Sequence, residues 1–150
     1  MTSIGAGDSI VTTTQTFGLL DRSCNHLGNE MIYVQASGAI AQYAAVGVDE
    51  TGQAAELTKA MADDGYHIAF AQVAFADNEY GWVVTRGQDI ECKLAASCAA
   101  DVALYTTATA GVLDDLSTSQ TKIDGVVSVE TITAATNAEI IATWPKSTTF

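Results

Sequence analysis

Apolar and polar residues alternate with a period of two along much of this chain. His67 to Phe75 is one such run, and Tyr80-Gly81-Trp82-Val83-Val84-Thr85-Arg86-Gly87 is another. Asp77-Asn78-Glu79 lies between them as a tight polar turn. Aromatic and β-branched residues at this spacing, broken by Gly and Asp/Asn, predict a central β-hairpin. Shorter runs predict further strands at Met31–Val34, Ala41–Val48, Ala54–Leu57, Asp89–Leu94, Leu104–Thr107, Ile123–Glu130 and Glu139–Trp144. Pro145, the single proline, is expected to stop the last of them. Ala60–Asp64 predicts one helical turn closed by Gly65. Ala96–Val102 reads either as a turn or two of helix or as a loop, and no long amphipathic helix is visible.

The fold class expected is mainly β, a compact barrel or sandwich. A weak internal repeat runs through residues 38–145. Gly52-Gln53-Ala54-Ala55-Glu56-Leu57 resembles Gly111-Val112-Leu113-Asp114-Asp115-Leu116. Each is followed by a strand, Ile68–Phe75 or Ile123–Val129, and then by a closing strand, Tyr80–Thr85 or Ala138–Thr143. Two similar β-units would explain this, and so would chance convergence of β-meanders. Residues 28–150 are read as one β-domain. Residues 1–27, rich in Thr, Ser and Gly, are read as an extended N-terminal arm in which Ile10, Val11, Phe17, Leu19 and Leu20 are the candidate anchors. Such an arm is either a disordered tail or a segment that folds onto a partner, and those five residues are then the candidate partner or subunit interface.

Charge narrows the partners. Eighteen acidic residues against six basic ones give a net charge of -12. The cations Arg22, Lys59, Arg86, Lys93, Lys122 and Lys146 are scattered, which argues against nucleic-acid binding and against an anionic membrane surface. Only 16% of residues are charged, so Thr, Ser, Gln and Ala cover much of the outside. The odd count of Cys24, Cys92 and Cys98, without Cys-x-x-Cys, reads as reduced thiols, with Cys92 a core thiol between Ile90 and Leu94. Met1 to Asp8 lacks the basic and apolar regions of a secretory signal, so a soluble product made in the cytoplasm is expected.

Candidate chemistry is sparse. His26 and His67 stand in no metal-ligand spacing. Asp49-Glu50, Asp63-Asp64 and Asp114-Asp115 sit in turns, and none has the oxygen periodicity of a calcium loop, although acidic loops of adjoining subunits can build one. There is no Gly-x-Ser-x-Gly, and Gly5-Ala6-Gly7 has no strand before it or helix after it. Trp82, alternating with Val84, reads as core. No catalytic residue, metal or cofactor is expected, and the chain is not expected to be an enzyme.

Several segments together bear a resemblance. They are Leu27-Gly28 leading into Tyr33-Val34, Val46-Gly47-Val48-Asp49 with Gly52, Ile68-Ala69-Phe70-Ala71, and Tyr80-Gly81-Trp82-Val83-Val84 ending at Gly87. Ala103-Leu104-Tyr105-Thr106-Thr107-Ala108-Thr109-Ala110-Gly111-Val112-Leu113-Asp114-Asp115 and Ile140 to Pro145 complete them. The chain resembles the capsid decoration, or cement, proteins of tailed bacteriophages. That resemblance implies a virion structural protein on the outer capsid surface of the expanded head. It implies the major capsid protein as partner, self-association as a homo-oligomer (often a trimer), and no catalytic residues. The residues before Leu27 have no counterpart in it. The alternatives are a phage tail, fibre or adhesin-type module that binds a glycan and, more distantly, a small β-barrel enzyme.

Overall fold

The computed structural model describes residues 10–118 and 120–148. Residues 1–9 of the expected arm, including Gly5-Ala6-Gly7, lie outside the described residues. Strands make up 49% of the described residues and helix 4%, so the fold is mainly β as the alternation predicts. In chain order the strands are β1 (Val11–Thr12), β2 (Arg22–Cys24), β3 (Glu30–Ala36), β4 (Ala45–Val48) and β5 (Gln53–Glu56). A single short helix, α1 (Lys59–Asp63), follows. Then come β6 (His67–Phe70), β7 (Tyr80–Leu94), β8 (Ala103–Thr106), β9 (Leu113–Asp114), β10 (Lys122–Ser128) and β11 (Thr136–Thr148).

The internal repeat is real, and it lies in the pairing order. In the first unit β3 pairs parallel with β5, β5 with β4, β4 with β6, β6 with β7, and β7 returns to β3. This circuit is a closed five-stranded barrel. In the second unit β7 pairs parallel with β9, β9 with β8, β8 with β10, β10 with β11, and β11 returns to β7. The two circuits have the same order and the same parallel and antiparallel senses. The fifth strand of the first unit and the first strand of the second are one element, the 15-residue β7.

The shared strand corrects the expected boundary at Gly87. The pattern predicts two strands, Tyr80–Thr85 and Asp89–Leu94, but the backbone kinks and continues. Gly87 takes φ +142° and Asp89 φ +56°. Asn29, buried beside the kink, completes the interrupted ladder: its Nδ2 donates to the Gln88 carbonyl at 2.8 Å and its Oδ1 accepts from Gln88 N at 3.2 Å. Gln88 supplies both a donor and an acceptor, so the buried Asn29 amide is satisfied at the kink.

Other boundaries shift for identifiable reasons. The central hairpin is thinner than expected, since β6 stops at Phe70 and meets β7 at Phe70–Val84, while Tyr80 to Val84 pair with β3. Val73 to Phe75 leave the ladder apart from a bridge between Ile40 and Phe75. Ala41 to Ala44 form a turn rather than the start of a strand, with Tyr43 at φ +66°. Ala96–Val102 is loop, with Ser97 and Asp101 both at positive φ. β11 runs through Pro145 to Thr148, because Pro145 sits at a bulge where the ladder register shifts and no amide hydrogen is needed.

Two apolar clusters follow from strands buried on both faces. Ile32, Val34 and Ala36 of β3 join Val46, Val48, Ala54, Ala69 and Val83 inside the first barrel. Small residues suit this interior because a five-stranded barrel leaves little room for side chains. Met31 and Tyr33 point the other way and join Phe70, Trp82 and Val84. With them are Ile90, Cys92, Leu94, Leu104, Ile123 and Ile140 of the second unit. One continuous core therefore lies across both units. Helix α1 packs into it as well: its N-cap Thr58 accepts from Met61 N, and Met61 fills the space that Gly47 leaves open.

Candidate functional site

The described part of the arm, residues 10–27, is laid on the first barrel. β1 pairs with Tyr80 and Gly81, and β2 pairs with Glu30 to Ile32. A Cβ at position 81 would lie 3.0 Å from the Ile10 carbonyl and 2.8 Å from the Phe75 ring, so Gly81 permits the close approach of the arm. Thr16 N donates to Tyr33 Oη at 3.1 Å. The Phe17 ring sits 5.3 Å from both Tyr33 and Trp82, whose own rings are 5.1 Å apart. Val11 and Leu20 pack on the first-barrel core and Leu19 on the shared one. Ile10 and Phe17 stay 52% and 41% exposed and flank a small cleft of about 60 Å³. Of the five candidate interface residues, these two therefore keep an open face, and the other three anchor the arm to the chain itself.

A second surface was missed by the sequence reading. Val127 of β10 and Ile141 of β11 are directly opposite one another and both point outward. Val129 and Leu27 are exposed as well, and Leu27 shares a shallow cleft with Ile141 and Arg86. The signal was present as the doublets Val126-Val127 and Ile140-Ile141. In each pair one residue is buried and its neighbour is apolar yet exposed, which a one-sided core does not require.

A third feature is an open groove of about 490 Å³ where the arm, the first barrel and β11 meet. Leu20, Val48, Tyr66 and Trp144 supply its apolar surface, and Asp49, Glu50, Asp64 and Lys146 its charges. Asp49 is committed to its own turn, accepting from Thr51 and Gln53. Burial opposes its charge, but these hydrogen bonds outweigh burial and hold its carboxyl below the usual range. Burial, with the nearby Arg22 charge, lowers the His67 pKa, which favours the neutral imidazole.

Among the described residues one group could hold a cation: Cys98, Asp114 and Asp115, with donor atoms within 4.8 Å of one another. His26 and His67 stand apart from it. The acidic pair was legible as a turn, but the loop that brings Cys98 to it was not. Its donors are already used internally. Asp115 Oδ2 accepts from Ala99 N, and Asp114 Oδ1 accepts from Asp115 N. Burial, then the charges of Asp115 and Asp114, push the Cys98 thiol up to about 11, so it is protonated at neutral pH and a poor ligand and nucleophile. Burial drives Cys92 further in the same direction. Iodoacetamide should therefore alkylate the half-buried Cys24 in the native protein and spare Cys92 and Cys98. Peptide mass mapping checks this, with all three labelled after denaturation.

No known family model matches the chain, and no curated protein matches it. The surfaces themselves carry the functional argument.

Proposed function

We propose that this chain is a structural protein of a bacteriophage virion, binding the outer surface of the expanded head and stabilising the capsid lattice. The observation that carries this reading is the apolar strip of Val127, Val129, Ile141 and Leu27, exposed on a chain with a net charge of -12. An outward apolar row on a rigid sheet suits a protein surface as partner, while the chain's net negative charge limits clumping between particles. Support also comes from the sequence resemblance and from polar groups that are spent on turns rather than gathered into a reaction centre.

On this reading the strip meets the major capsid protein, and Ile10 and Phe17 extend the contact from the arm. The chain works without cofactor or turnover. Association as a trimer links three modest contacts into one strong attachment. Binding the expanded lattice alone stabilises that state by linkage. A tail or fibre module recognising a glycan is the second reading, favoured by the exposed Trp144 indole beside carboxylates.

Copy number separates the two. Quantitative mass spectrometry of purified virions should find this chain near the abundance of the major capsid protein. A few copies per particle would move it to the tail, and absence from virions would remove both readings.

A further inference from the structure

The ladder of β11 is built to turn a tryptophan outward. Between the pairs Val126–Ala142 and Asp124–Lys146 the register shifts. Gly125 takes φ +81° opposite the bulge, and a Cβ there would lie 2.7 Å from the Thr143 carbonyl. Thr143 and Trp144 both become exposed and Pro145 takes the buried place. Trp144 itself adopts φ +54°, a conformation unfavourable for a bulky L residue. Regular alternation would have left Trp144 inward. Strain that exposes a large apolar side chain, rather than burying it, is the pattern of a binding surface.

Chemistry around the ring indicates what it receives. The Arg22 guanidinium already lies 5.0 Å from the centroid of the Trp144 ring. Glu50 and Asp64 line the same groove and are exposed, and their side-chain carboxylates have neither hydrogen bond nor ion pair. Leu20 and Val48 give an apolar floor on which the aliphatic stem of a long cationic side chain can rest. The net charge of -12 further favours a cationic partner.

We propose that this groove docks a basic peptide segment of a partner protein. A Lys or Arg side chain of that segment lies between the Glu50 and Asp64 carboxylates and Trp144. Arg22 holds the place by the same contact when the segment is absent. The inference concerns the groove alone, so it stands or falls separately from the head-decoration reading.

The test uses the full chain and a hexa-arginine peptide at low salt, followed by the Trp144 indole N–H resonance and by calorimetry. Saturable binding that shifts this resonance is expected. The charge-neutralised E50Q/D64N and the truncated W144A should each bind at least about fivefold more weakly. D89N/E130Q, which removes the same charge elsewhere on the surface, should stay within about twofold of the wild type. Equal weakening in D89N/E130Q would reduce the effect to bulk attraction and overturn the proposal. So would absence of saturable binding, or a neutral hexasaccharide shifting the Trp144 resonance where the peptide does not.

Discussion

Replacing Gly87 by alanine should lower the thermal midpoint by roughly 10 °C, the largest stability loss expected from a single methyl group in this chain. Two costs combine. The backbone at +142° is one that L side chains rarely adopt, and the new Cβ would lie 1.9 Å from Asn29 Oδ1 and 2.3 Å from its Cγ. Asn29 cannot simply swing away, because its amide holds both polar groups of Gln88 at the kink. Displacing it breaks both hydrogen bonds of the buried Asn29 amide, so a total near ~3 kcal/mol is expected. Gly38→Ala is the control: φ is +107° there, but a Cβ meets nothing within 4 Å. Circular dichroism melts of the two variants separate backbone strain from the collision. Equal midpoints would mean that Asn29 does not lock the kink.

The second large effect is on attachment rather than on folding. V127T/I141T keeps β-branched side chains on both strands and removes apolar surface that is already 38% and 40% exposed in the free chain. The folded state should change by no more than ~0.5 kcal/mol. On the proposed head-binding reading, binding to expanded heads that lack this chain should weaken about tenfold per subunit contact, from ~1–2 kcal/mol of apolar burial forgone. Linkage of subunits in an oligomer would enlarge the effect. Occupancy measured by quantitative gel or mass spectrometry against added protein reads it. A variant that fills the heads at wild-type concentrations would remove the strip from the interface.

Local signals identified most strands because period-two alternation follows directly from the pleat. They failed where pairing depends on distant residues. Gly87 looked like a terminator because Asn29, which bridges the kink, lies far away in sequence. Pro145 looked like a stop because the bulge that accommodates it is set by Gly125 on the adjoining strand. The repeat was faint in residue identity, and pairing order decides it. Of the candidate surfaces, the arm was legible as Thr-rich sequence with a few apolar anchors, although Tyr33, read as a strand residue, and Trp82, read as core, gave no sign that they receive Phe17. The outward strip was hidden because Val127 and Ile141 sit beside equally apolar residues that are buried. The Trp144 groove was hidden because its parts come from four separate segments.

The strand common to both units also fixes distance. Duplicated units joined by a loose linker can turn and slide relative to one another, and so adapt to whatever spacing a target offers. Here Tyr80 to Leu94 form walls of both units, with no linker between them. The groove beside the first barrel and the strip on the second are thereby held at one separation, like marks on a rule. A target whose two sites lie at another spacing can engage one mark and not both, and loses the gain of joint attachment. On the proposed head-binding reading, a lattice that changes its subunit spacing as it matures presents such a difference to a body whose two units share one strand.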